Sequence, residues 1–245
     1  MKTLAIVNPA AGHWRGEKRW RETLAAAGLA APPEWRLTDA PAAASRMTRE
    51  ALAQGFKRVI AVGGDGTLGE ALNGFMSAPE AQREGAALGT FPAGSGCDFA
   101  RHMRIDASPA TLKRLLESPK VSVLDAGFVE FDDAEQEQRT GRYFLNVVSL
   151  GIGGEVARRM QRSGKPLGGT ISYLLASLGA VLSAKPYEMT LEVDGGARGT
   201  RRIHLAAVAN TSTTGGGMKI APGAAAQAGR LELVIVGDLS RLQLL

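Results

Sequence analysis

A single cysteine, Cys97, stands among 245 residues, so no disulfide framework exists and the chain fits a reducing compartment. Aromatic residues make up only 5% of the sequence, which leaves a core built from small and branched side chains. They are not interleaved with basic residues, so stacking on single-stranded nucleic acid is not expected. No run reaches the roughly 18 apolar residues of a membrane-spanning helix. The nearest, Ile171–Leu182, is too short and reads as a buried helix. The first nine residues carry one positive charge and then only four apolar residues, the pattern of a first strand rather than a signal peptide. These absences point to a cytoplasmic protein.

What is present is a globular composition, 44% hydrophobic and 22% charged, with 29 basic residues against 24 acidic ones and a formal charge of +5. That balance suits phosphorylated ligands or an anionic lipid surface, and suits nucleic acid least. Most basic residues are scattered, but Arg158, Arg159, Arg162 and Lys165 cluster beside the apolar Ile171–Leu182 stretch. That pairing would suit peripheral docking at the inner face of the membrane; a solvated basic turn beside a core helix would read the same.

Apolar runs and helical periods alternate through the first half. Strands are expected at 3–8, 35–38, 58–62, 87–91 and 121–126, with helices near 17–27, 42–54, 68–76 and 109–117. This order predicts a parallel α/β sheet with ligands at the carboxyl ends of its strands. After Gly127 the pattern changes. Residues 130–142 read as an acidic hairpin tip that includes Glu135 and Glu137. Strands are expected at 143–150, 187–193, 203–210 and 231–236, with one helical stretch over 154–183. The chain is therefore expected to be an α/β domain over 1–127 followed by a β-rich domain over 128–245.

The most informative segment is Val62-Gly63-Gly64-Asp65-Gly66-Thr67, which joins an apolar strand to Leu68-Gly69-Glu70 at the start of a helix. Glycines let the backbone bend and bring its N–H groups close to a ligand, and the helix N-terminus adds partial positive charge. Asp65 would repel a phosphate unless a divalent cation lay between them, so the loop suggests a nucleotide with Mg²⁺. A tight strand-to-helix turn with an Asp-Gly pair has the same signature. A second glycine loop, Pro92-Ala93-Gly94-Ser95-Gly96-Cys97-Asp98-Phe99, follows the 87–91 strand, and Asp125 closes the next. Cys97, close to a helix start, is placed where a thiol pKa is lowered, but no histidine stands beside it. His13, His102 and His204 form no triad by spacing.

In order, Asn8-Pro9-Ala10-Ala11-Gly12, Gly63-Gly64-Asp65-Gly66-Thr67, Gly94-Ser95-Gly96-Cys97-Asp98-Phe99-Ala100-Arg101 and Leu124-Asp125-Ala126-Gly127 resemble the diacylglycerol/sphingosine lipid-kinase family. Phe144-Leu145-Asn146, Ser149-Leu150-Gly151, Asn210 before Gly215-Gly216-Gly217, and Ala221-Pro222 extend the resemblance across most of the chain. It implies an NAD-kinase-like α/β domain followed by a β-sandwich domain, with the lipid entering between them. It also implies transfer of the ATP γ-phosphoryl group to a diacylglycerol-like hydroxyl. ATP and Mg²⁺ are the implied cofactors, lipid at the membrane surface is the implied substrate, and a homodimer is compatible. Carried over by position, Asn8, Thr38, Gly64, Asp65, Gly66, Thr67, Leu68, Gly69, Glu70 and Ser95 would contact the nucleotide. Asp65, Asp98 and Asp125 would form the acidic, metal-binding and catalytic network. Three carboxylates converging from separate strand ends would need a cation.

Several positions depart from the family pattern. Ser95 stands where Thr is usual, keeping the hydroxyl, and Cys97 stands where Asn is usual. Ala228-Gly229 replaces an Asp-Gly pair that helps hold a structural Mg²⁺, so that site is expected to be absent or weak. The family's acidic general base falls beyond Leu245, where this sequence stops. The expectation is a truncated chain or a base supplied otherwise. NAD kinases share the Gly-Gly-Asp-Gly-Thr loop, and a non-catalytic nucleotide- or lipid-binding protein is a third reading. The Gly-Ser-Gly-Cys-Asp-Phe-Ala-Arg segment speaks for the lipid branch.

Overall fold

The apolar runs of the first half assemble side by side. In a computed structural model that describes residues 1–118, 120–133, 138–163, 169–240 and 243, β1 (Thr3–Val7), β2 (Glu34–Leu37), β3 (Arg58–Gly63) and β4 (Ala87–Pro92) form one sheet in the order β2-β1-β3-β4. All three pairings are parallel. Parallel strands joined by crossovers have helices on both faces and read as continuous apolar runs. Alternate side chains divide accordingly. Ala5, Val7, Ile60, Val62 and Phe91 face one layer, where Trp20 of α2 (Gly16–Ala26) and Leu112 of α7 (Pro109–Glu117) complete a buried cluster. Leu4, Ile6 and Val59 face the other, against Ala44, Met47 and Ala51 of α3 (Ala43–Ala53). Ala61 packs with Leu68 and Ala71 of α4 (Asp65–Met76) and Phe99 of α6 (Asp98–His102). Two four-residue helices, α1 (Ala11–Trp14) and α5 (Glu80–Arg83), lie in the connections.

The chain divides into two compact units, Met1–Leu145 and Asn146–Leu245. The antiparallel hairpin β5 (Gly127–Asp133) and β6 (Gln138–Phe144) therefore belongs with the first unit. It is tied there by Asn73 of α4, whose amide donates to the Tyr143 carbonyl and accepts from the Tyr143 N–H, both at 2.9 Å. Most of the acidic tip expected over 130–142 is paired strand, Glu130 opposite Gly141 and Asp132 opposite Arg139, while Glu135 and Glu137 lie outside the described residues. The strand expected at 121–126 does not form. That segment is irregular, with Val121 and Val123 66% and 90% exposed; apolar content alone does not make a strand.

The second unit is antiparallel. The long strand β9 (Gly199–Ala209) pairs through its second half with β7 (Val147–Gly151) on one side and β12 (Glu232–Gly237) on the other. Its first half pairs with β8 (Tyr187–Leu191). A short ladder joins β10 (Thr213–Thr214) to β11 (Met218–Lys219). The expected single helical stretch is two helices, α8 (Ile152–Ser163) and α9 (Gly169–Ser183). They pack through Val156, Ala176 and Ala180, while Lys165, part of the basic cluster read from sequence, is outside the described residues. One sheet face, with Val147, Ala209 and Val234, is covered by Ile220, Ala221 and Ala224. Leu150, Leu233 and Ile235 project from the other, and all three are exposed. Among the described residues no helix is long and apolar enough to cross a membrane.

Candidate functional site

Parallel order delivers the loops after β1, β3 and β4 to one edge of the first sheet, and these loops touch. A Cβ on Gly94 would lie 2.5 Å from the Gly64 Cα and 2.8 Å from its nitrogen, so only glycine allows the two glycine loops to approach this closely. Gly12, at φ 60°, lies so near the Ala93 carbonyl that a Cβ would come within 2.5 Å of the oxygen.

Asn8 locks the first loop to the second. Its backbone N–H donates to the Val62 carbonyl (2.9 Å), its Oδ1 accepts from the Ala10 N–H (3.0 Å), and its Nδ2 donates to the Thr67 Oγ1 (2.9 Å). Thr38 occupies the corresponding end of β2, its N–H on the Val7 carbonyl at 2.9 Å.

Helix α4 starts at Asp65, earlier than the expected Leu68, with extended Gly64 as its N-cap and no side chain capping it. The first intrahelical bond runs from the Leu68 N–H to the Gly64 carbonyl at 3.1 Å. Among the described residues the N–H groups of Gly66 and Thr67 have no acceptor in the protein. Gly66 and Gly69 open onto space. Two unsatisfied amides at the positive end of a 12-residue helix, beside a pair of apposed glycines, have the chemistry that suits an anion.

The acidic residues are arranged differently from the expected cluster. Both Asp65 oxygens accept backbone N–H groups, from Asp98 at 2.9 Å and Phe99 at 3.0 Å. Asp65 thus caps α6, a helix hidden in sequence within the second glycine loop. Asp98 is buried and accepts from Arg101 at 2.8 Å. The Asp65 and Asp98 carboxylates both border Gly96. Asp125 is half-buried in the irregular segment before β5 and is not at a strand end. Among the described residues no three His, Cys, Asp or Glu side chains group to hold a metal ion. The expected three-carboxylate centre is thus not grouped among the described residues; Asp65 caps a helix and Asp98 pairs with Arg101.

Two predicted nucleotide contacts have other roles. The Leu68 side chain is buried in the core and its amide is committed to Gly64. The Glu70 Oε2 accepts from the Ala44 N–H at 3.2 Å, holding the first turn of α3. Ser95 is exposed in the second glycine loop. Cys97 adopts φ 50° with its sulfur 3.6 Å from the Gly63 carbonyl oxygen. Burial, reinforced by the Asp65 carboxylate, pushes its thiol pKa up, opposite to the lowering expected from a helix start. His204 is buried in the second unit, its Nε2 at 3.1 Å from the Leu239 carbonyl oxygen.

Sequence reasoning passed over Asn73 and Arg19. An asparagine in mid-helix is a weak helix former that competes for backbone bonds, which is the signal that could have singled out Asn73. Arg19 donates from Nη1 to the Ala93 carbonyl at 3.3 Å, a contact no local pattern announces.

Residues 2–129 match the model of the diacylglycerol kinase catalytic domain. Residues 146–245 match that of the YegS C-terminal NAD kinase beta sandwich-like domain. A protein of Chromohalobacter salexigens named "Probable lipid kinase YegS-like" is 34% identical over 199 residues, 81% of this chain and 60% of that protein. A Bacillus subtilis protein named diacylglycerol kinase is 29% identical over 197 residues, 79% of this chain and 59% of its own length. The chain thus spans about 60% of the length of curated relatives such as these. A crystal structure of a diacylglycerol kinase from Bacillus anthracis superposes with a TM-score of 0.71 at 23% identity, covering 99% of this chain and 75% of that one, and so shares its fold.

Proposed function

The chain belongs to the diacylglycerol kinase catalytic-domain family, and on that premise we propose that it transfers the γ-phosphoryl group of ATP to the hydroxyl of a diacylglycerol-like lipid. The observation that carries this reading is the apposition of Gly64 and Gly94 at the start of α4, where the N–H groups of Gly66 and Thr67 have no acceptor among the described residues. Phosphoryl transfer asks the protein mainly for positioning and charge stabilisation, and this edge offers both. Gly66 and Thr67 would bind phosphate oxygens through their amides, with Asn8 keeping Thr67 in place. Arg101 would supply positive charge from beside Asp98.

Mg²⁺ typically keeps several waters and takes one or two carboxylates together with the nucleotide phosphates, rather than a protein cage. Asp65 and Asp98 around Gly96 fit that donor set, whereas a three-carboxylate cage does not. The ion would neutralise phosphate charge. In this reading Asp65 also orders the second glycine loop by capping α6, so its loss would disturb geometry as well as charge.

The test is a radiolabelled-ATP assay over a panel of diacylglycerol, other lipid alcohols and NAD. Label entering a lipid hydroxyl in the wild type, and lost in Gly94→Ala, supports the proposal. Label on NAD alone, or turnover that is indifferent to Gly94→Ala, overturns it.

A further inference from the structure

The glycine loop Gly63-Gly64-Asp65-Gly66-Thr67-Leu68-Gly69-Glu70 contains no Lys or Arg and carries two carboxylates. A polyphosphate seated there meets a helix end worth roughly half a charge and needs further cations from outside the loop. Arg19 is placed to supply one. Its Nη1, bonded to the Ala93 carbonyl at 3.3 Å, also lies 3.9 Å from where Gly12 would carry a Cβ. The guanidinium therefore spans the first and second glycine-bearing turns, one residue before Gly94.

The helix that carries it is fixed in both position and rotation. Gly16 packs so closely on the Asn8 carbonyl that α2 cannot slide without moving the first loop. Trp20, the residue after Arg19, is fully buried with its ring edge-on to Phe91 at 5.8 Å. Three other cations of α2 and α6 are paired: Arg21 with Glu17 at 2.7 Å, Lys18 with Glu22 at 3.8 Å, and Arg101 with Asp98 at 2.8 Å. Among the described residues Arg19 has no carboxylate within 4.0 Å, and one hydrogen bond occupies one of its five N–H donors.

We propose that Arg19 is a phosphate-binding residue for the nucleotide, clamping the polyphosphate against the Ala93-Gly94 turn. This rests on the ATP-binding reading above. Arginine suits the task because its planar fork stays charged and can hold phosphate oxygens two at a time.

The full chain, with Mg²⁺ present, should be titrated calorimetrically with adenosine, AMP, ADP and ATP. Wild type, Arg19→Ala, Arg19→Lys and a charge control in the second unit, Arg198→Ala, should be compared, with thermal melting to confirm folding. The expected result is an Arg19→Ala loss that grows with phosphate number, about tenfold to a hundredfold for ATP and absent for adenosine. Arg19→Lys should fall between, and Arg198→Ala should bind as wild type. Undiminished ATP binding in Arg19→Ala, or an equal loss for adenosine, overturns the proposal. A wild type that binds ATP no better than adenosine removes the underlying nucleotide reading, and this inference with it, before any variant is compared.

Discussion

In the first unit β3 is buried along its whole length, whereas in the second the residues of β12 alternate between half-buried and exposed until its last two. The first sheet is parallel and sandwiched between helices. The second is antiparallel, covered on the face of Val147 and Val234 and open on the face of Leu150, Leu233 and Ile235. The difference bears on function as well as stability. Parallel order sends consecutive strand ends to one edge, so Asn8, Gly64 and Gly94 meet although they are far apart in sequence. Antiparallel order sends successive connections to opposite ends, and in the second unit the segment after β9 returns to the start of β7, where the Asn210 and Thr211 N–H groups both donate to the Asn146 carbonyl.

Deleting the same atoms from each sheet should break or confirm this contrast. Ile60→Ala, in a fully buried position, is expected to cost about 2–5 kcal/mol. Ile235→Ala, already 37% exposed, is expected to cost about 1 kcal/mol. All three tryptophans, Trp14, Trp20 and Trp35, lie in the first unit, so denaturant unfolding followed by their fluorescence reports on Ile60, while amide exchange follows the second sheet. Equal costs would mean that the exposed face is buried in solution.

Gly94→Ala comes next. The added methyl meets the Gly64 backbone, which cannot rotate away as a side chain would, so overpacking of about 1–3 kcal/mol is expected. The larger consequence is functional: parting the loops should lower affinity for ATP more than it lowers stability. A variant with normal stability and normal nucleotide binding would show that the loops need not touch.

Asp65→Asn should have a smaller structural effect. An amide keeps one acceptor but turns an NH₂ toward a backbone N–H, so one of the two α6 cap bonds is lost, at about 1–2 kcal/mol. The effect should be confined to the first unit and seen as faster amide exchange at Asp98 and Phe99. Unchanged exchange there would return Asp65 to a purely ionic role.

The contrast also explains what could be read in advance. The strands β1, β3 and β4 are largely apolar runs followed or closed by Asn8, Gly63 and Pro92-Ala93-Gly94, and both their places and the loops after them were legible. Helix α7, with Ser108 before Pro109, announced its own start. Val121–Ala126 misled because its apolar residues resemble a strand, yet pairing is a property of neighbours and not of the segment. Helix α6 was hidden because Gly-Ser-Gly-Cys-Asp reads as turn, and the group that caps it, Asp65, lies 33 residues away. The division of the long helical stretch into α8 and α9 was available locally, since Gly164, Pro166 and Gly168 are helix breakers. The second role of Asp65 and the diversion of Glu70 to α3 were not, because both depend on backbone groups brought close only by folding.

The smallest expected effect lies at the edge of the first unit and tests whether a local polar cap reaches its core. Asp106 Oδ1 accepts from the Ser108 N–H at 3.1 Å and the Ser108 hydroxyl at 2.6 Å. The same hydroxyl, as N-cap of α7, accepts from the Thr111 N–H at 3.1 Å. These bonds, that from the Ser108 side chain first, hold the Asp106 carboxyl below its ordinary 3.8, at about 2. Because the folded pKa is depressed, the contribution is fully present above the unfolded value and is lost as pH falls through the folded one. The stability gap between wild type and Asp106→Asn should therefore be flat at neutral pH, begin to close near pH 3.8, and largely vanish by about pH 2. Since α7 presents Leu112 to the cluster that holds Trp20, the change should register in tryptophan fluorescence while amide exchange in the second sheet stays the same. A gap that persists undiminished to the acid end, or one that appears equally in both units, would show that the Asp106–Ser108 cap is not what anchors α7 to the parallel sheet.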